Sequence, residues 1–110
     1  MNRREFAGKY PSLSGILASV FQYPEGRSDE EIAREAVEEP FTLAAKRFRL
    51  LSELVRESNL ALVSLDAEWQ VVAKAANRPL QSCEDTREWL LRVTAVWEKL
   101  LSEINGTKPS

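Results

Sequence analysis

The side chains with chemistry to offer in this sequence are carboxylates, and they are concentrated. Between Ser28 and Glu39, the run S-D-E-E-I-A-R-E-A-V-E-E sets Asp29, Glu30, Glu31, Glu35, Glu38 and Glu39 against a single base, Arg34, for a net charge of −5. The whole chain sums to −2, so everything outside this stretch is slightly basic. A run of one sign is either a solvated helix face or a surface that steers a basic partner and fixes its orientation.

Other chemistries are thinly supplied. Histidine is absent, which removes the commonest general base, the commonest metal ligand and the physiological pH switch together. Cys83 is the single cysteine, so no intramolecular disulfide forms, as befits a reducing compartment. It falls at a predicted helix entrance, where a dipole can lower a thiol pKa; with no histidine or second cysteine it reads as a small structural residue. Serines are plentiful, but none sits in a nucleophile motif, and neither a phosphate-binding glycine loop nor a metal-ligand spacing occurs. The expectation is a protein without catalytic residues, metal or cofactor. A pI near 5.3 argues against nucleic acid as a partner.

The acidic run divides when it is placed on a helix. Ser28 and Glu31 form a capping-box pair, and Asp29, Glu30 and Glu31 lie in a first turn, where the helix dipole favours negative charge. Glu35, Glu38 and Glu39 lie toward the opposite end, where the dipole disfavours them. They either pair with the basic cluster Lys46, Arg47 and Arg49 that follows or face a basic partner. The cluster could also hold an acidic ligand, but internal pairing is the simpler expectation.

The remaining chain reads as the scaffold that holds this face. Its 110 residues suit one domain that buries roughly two-thirds of its unfolded surface. No apolar run approaches the roughly 18–20 residues that span a bilayer, and no signal peptide follows the basic N-terminus, so a cytoplasmic protein is expected. Apolar spacing predicts an all-α bundle of about five helices, at 12–22, 28–39, 41–58, 65–76 and 84–105. Residues 1–9 are expected to be a basic, partly disordered lead-in to an ordered core of about 10–105.

In the first helix Leu13, Ile16, Leu17, Val20 and Phe21 share a stripe, with Ser12 as N-cap and Pro24 and Gly26 as terminators. In the third, Ala44, Phe48, Leu51 and Val55 point inward, and Asn59 is the expected stop. Residues 60–64 then connect to a fourth helix capped by Ser64, with Trp69 and Val72 inward. The last helix is the best specified: Trp89, Val93, Val96, Trp97, Leu100 and Ile104 line one side, Glu88 and Arg92 pair outside, and Gly106 caps the end. Two tryptophans burying ~150–250 Å² each make it the central post.

The pattern Y-P-S-L-x-x-I-L-x-x-V-F at Tyr10–Phe21 is followed in order by D-E-E-I-A-R-E-A-V-E-E-P at Asp29–Pro40 and T-R-E-W-L-L-R-V at Thr86–Val93. Together they resemble the small immunity proteins of bacterial contact-dependent growth inhibition systems, over roughly Tyr10 to Leu101. Members open with a Tyr/Phe-Pro-x-Leu helix that ends in an aromatic-Phe-His-Gln-Asp-type signature. Here Phe21, Gln22, Tyr23, Pro24 and Glu25 stand in its place, with the histidine missing and Glu25 an approximate substitute for the aspartate. The resemblance implies a cytoplasmic antidote that binds the toxic C-terminal domain of an effector, often a nuclease. On this reading the toxin-binding residues are Glu25, Asp29, Glu30, Glu35, Glu38 and Glu39, with Tyr23 as an aromatic anchor. A nuclease site must be basic to hold phosphates, so an inhibitor presenting carboxylates can occupy the same ground. The alternative is a helical adaptor or regulatory protein docking a host factor.

Overall fold

The two tryptophans are buried where their spacing placed them, on the longest helix. The computed structural model describes residues 2–22, 25–38 and 44–106, and every regular element among these is helical. In chain order they are α1 (Arg3–Lys9), α2 (Pro11–Ser19, extended by a 3-10 turn at Val20–Gln22), α3 (Asp29–Glu35), α4 (Ala44–Val63), α5 (Leu65–Ala75) and α6 (Cys83–Gly106). The architecture is an all-α bundle with six α-helices among the described residues where about five were expected, the extra one being α1. Helix α6 packs against α3, α4 and α5, and Trp89, Leu90, Val93 and Trp97 on it are fully buried.

The lead-in expected to be disordered is ordered, and the reason is Phe6. Asn2 caps α1, accepting the Glu5 N–H at 2.8 Å while the Glu5 carboxylate accepts from the Asn2 N–H. Phe6 then buries against the Tyr10 ring, the centroids 5.3 Å apart. Burying a phenylalanine is worth about 1.5–3 kcal/mol, enough to hold a short helix on the bundle. A polar anchor follows at once: Lys9 Nζ and Tyr10 Oη each donate to Glu68 on α5 at 2.8 Å. Sequence periodicity missed α1 because two turns are too short to show a stripe.

Helix α2 begins one residue earlier than expected, with Pro11 in its first turn, and Ser12 is not its cap. The cap comes from another helix. Glu57 of α4 accepts the Leu13 N–H at 3.0 Å, and Glu53 accepts the Ser12 hydroxyl at 2.7 Å. Both carboxylates lie at the positive end of the α2 dipole, and Glu57 is buried there.

Helix α4 runs through Asn59 instead of stopping, so residues 59–63 are helix, not connection. Its inward stripe Leu51, Leu54, Ser58 and Ala61 is unbroken into Leu65, and burial of that stripe outweighs the polar residue on the outer side. Phe48 lies at the edge of the stripe and is 40% exposed, correcting its assignment to the core. Residues 41–43, expected to begin this helix, lie outside the described residues. Helix α5 ends at Ala75 with Ala76 as its C-cap, and Asn77 just beyond takes φ +56°, a left-handed conformation asparagine tolerates. Gly106, the expected cap of the last helix, is instead its final residue. No helix among the described residues is long and apolar enough to cross a membrane.

Candidate functional site

Helix α3 carries the acidic run, and its shortness follows from what it buries. The N-cap is Ser28, whose Oγ accepts the Glu31 N–H at 3.1 Å as expected, while the Glu31 carboxylate accepts from the Ser28 hydroxyl at 3.2 Å in place of the backbone N–H a capping box would use. Ile32 and Ala33 face the core; the chain then leaves the helix at Ala36 so that Val37 also turns inward, fully buried. The predicted helix to residue 39 therefore ends after Glu35.

Two tryptophan N–H groups of α6 fix α3 in place. Trp89 Nε1 donates to Asp29 Oδ2 at 2.6 Å, and Trp97 Nε1 donates to the Ala33 carbonyl at 3.0 Å. From the first bond to the second both helices advance toward their C-termini, so α3 and α6 run in the same sense. Arg78, just past α5, closes the anchor. Its Nε and Nη2 donate to Asp29 Oδ1 at 2.9 and 2.6 Å, and its Nη1 donates to the Phe21 carbonyl at 2.9 Å. The guanidinium also lies over the Phe21 ring, 5.4 Å from its centroid, and that ring meets Trp89 edge-on at 5.4 Å. Burial pushes the Asp29 carboxyl upward, but the Arg78 and Trp89 hydrogen bonds outweigh it, and its pKa lies below the usual carboxylate value.

Asp29 is thus withdrawn from the binding face where the sequence placed it. The reason is geometric: the first helical residue sits where α5, α6 and the 3-10 turn meet, and a carboxylate there accepts donors from all sides.

The outer carboxylates have partners of a different kind. Glu30 lies 3.7 Å from Arg92 Nη1, Glu35 is ion-paired with Arg27, and Glu38 accepts from Arg34 Nε at 3.1 Å. Among the described residues, none of the ion pairs of Glu35 and Glu38 is with Lys46, Arg47 or Arg49, which corrects the expected pairing with the following helix. Arg92 likewise turns to Glu30 rather than to Glu88 one turn away. Beside these pairs a cleft of about 260 Å³ opens between α3 and α6, with Val96 and Leu100 as its apolar floor and Glu30, Glu31, Arg34 and Lys99 around it.

Glu25 is exposed in the turn before α3, at φ +48°, next to Gly26 at φ +81°. Tyr23 and Glu39, the other two expected contact residues, lie outside the described residues. The structure therefore brings Glu30 and Glu35 onto the outer side of α3, with Glu38 in the turn just beyond it, Glu25 preceding it and Asp29 inside the anchor.

Protein-family models, curated proteins and solved structures contain no match to this chain.

Among the described residues, no three His, Cys, Asp or Glu side chains are grouped to hold a metal ion. Partial burial and the neighbouring Asp66 carboxylate push the Cys83 thiol above its ordinary pKa, opposite to an activated cysteine. Sequence reasoning missed Arg78, Trp89 and Trp97 as a polar anchor because the tryptophans were read for their area alone. A signal was available: a buried indole N–H must find an acceptor, and Asp29 begins the one helix whose acidity needed explaining.

Proposed function

We propose that this chain is an immunity protein that binds and neutralises the toxic C-terminal domain of a contact-dependent growth inhibition effector. What supports the reading is the mounting of α3. The helix is pinned by the Asp29–Arg78–Trp89 cluster and by the Trp97 bond to Ala33, so its outer carboxylates are held in one geometry before any partner arrives. A preorganised face loses little freedom on binding. Its exposed ion pairs are each worth only about 0–1 kcal/mol, so a basic partner displaces Arg27, Arg34 or Arg92 at small cost. The cleft over Val96 and Leu100 adds an apolar floor between the charges. The partner is a toxin domain with a basic surface, for which a nuclease is the fitting class.

The reading expects a gene for a large secreted effector beside this one. Its C-terminal domain, expressed alone, arrests growth, and co-expression of this chain restores it. Failure of rescue by the folded protein removes the proposal. A second reading, a helical adaptor docking a host factor, draws on the exposed apolar residues Phe48, Val63 and Leu91. Salt separates the two: capture by carboxylates slows as salt rises, whereas an apolar groove contact hardly responds.

A further inference from the structure

Three basic residues come together around α1 and α5. Arg3 and Arg4 on α1 and Lys74 on α5 are exposed, and none of the three forms an ion pair with a carboxylate among the described residues. Glu5, their neighbour in sequence, is turned back onto the Asn2 amide. Two clefts open beside these cations, and Arg3 lines both. One, of about 450 Å³, lies between α1 and α5 with Val71 and Lys74 in its wall. The other, of about 410 Å³, lies between α1 and α2 over Ala7, Gly15, Ala18 and Ala75, with Arg4 also lining it.

Gly15 adds an independent observation. It sits in the middle of α2, in ordinary helical backbone, and a Cβ there would meet nothing within 4 Å. Neither a turn nor internal packing requires glycine at this position, and a mid-helix glycine is destabilising relative to alanine. Gly15 lines the cleft, so the α2 backbone is open there to close approach by a docked segment.

We infer that the α1–α2–α5 face is a second interaction surface, and that it takes an acidic amphipathic peptide segment of another protein. The segment lies with its small apolar side chains over Gly15 and Ala18 and its carboxylates against Arg3, Arg4 and Lys74. Arginine forks match carboxylates bidentately, which gives the contact direction as well as charge. A nucleic acid fits less well: the chain is net negative, and the ring in the cleft wall, Phe6, is buried and has no face on which a base can stack. This surface uses none of the α3 carboxylates, so it stands or falls apart from the toxin-binding proposal.

The test titrates the full chain, labelled with nitrogen-15, with a fluorescein-tagged helical peptide of Glu, Leu and Ala. A Lys-for-Glu version of the peptide and a single-stranded oligonucleotide are the comparisons. The expected result is saturable binding of the Glu peptide alone, weakened by salt, with amide shifts centred on Ala7, Gly15, Ala18 and Val71. Arg3→Glu combined with Lys74→Glu weakens it roughly tenfold or more, since two cations become repulsive. Gly15→Leu, which fills the cleft without touching charge, weakens it too while the circular dichroism spectrum is unchanged. Absence of saturable binding, tighter binding of the oligonucleotide, shifts elsewhere on the chain, self-association through this face, or indifference to both variants would each overturn the inference.

Discussion

Asp29 and Glu35 open and close the same short helix, carry the same charge, and do opposite things with it. Asp29 is 22% exposed and bound to an arginine that is 13% exposed, with a tryptophan N–H on its other oxygen. Glu35 is 52% exposed and meets an arginine that is 34% exposed. The first pair is structure, because removing either partner strands a charge away from water. The second is surface, screened and easily exchanged. An acidic run is therefore not one feature: one carboxylate fastens the helix, and the rest are what the fastened helix presents.

The contrast yields a ranked series of outcomes. Arg78→Ala leaves Asp29 without its cation and frees the Phe21 carbonyl, and should cost about 3 kcal/mol in chemical denaturation. Glu57→Ala comes next, because the α2 N-terminus loses its cap; about 1–2 kcal/mol is expected, read from the same denaturation midpoints.

Asp29→Asn tests the anchor through pH. The folded Asp29 pKa lies below the unfolded value of about 3.9, so its stabilisation is complete above that pH and is lost as pH falls through the folded pKa. The wild type should be the more stable at neutral pH, and the two stability curves should converge on the acid side. Glu35→Gln with Glu38→Gln completes the series, changing stability by less than about 0.5 kcal/mol per pair. A larger loss would make the outer carboxylates structural and erase the distinction.

How much of this was legible from the residues alone depends on the physics involved. The α6 stripe, the Ser28 cap and the all-helical architecture could be read because they repeat locally, with helical period or fixed capping distance. Helix α1 could not, since its stability comes from Phe6 and Glu68, the latter far along the chain. Glu57 and Glu68 gave a signal that went unused: each occupies an inward position of its helix, and a buried carboxylate must be answered by a donor. The ion pairs of α3 were the least readable. Arg27 and Arg34 are nearer in the fold than the richer cluster at Lys46, Arg47 and Arg49, and charge counts along the chain carry no direction.

The central claim is that α3 is held by its inner face and recognises its partner by its outer one. One pair of measurements on a single protein tests this: Glu35→Lys with Glu38→Lys, assayed for denaturation midpoint and for rescue of cells expressing the toxic domain proposed as its partner. An almost unchanged midpoint with rescue abolished is expected. A variant that folds and still rescues fully would contradict it.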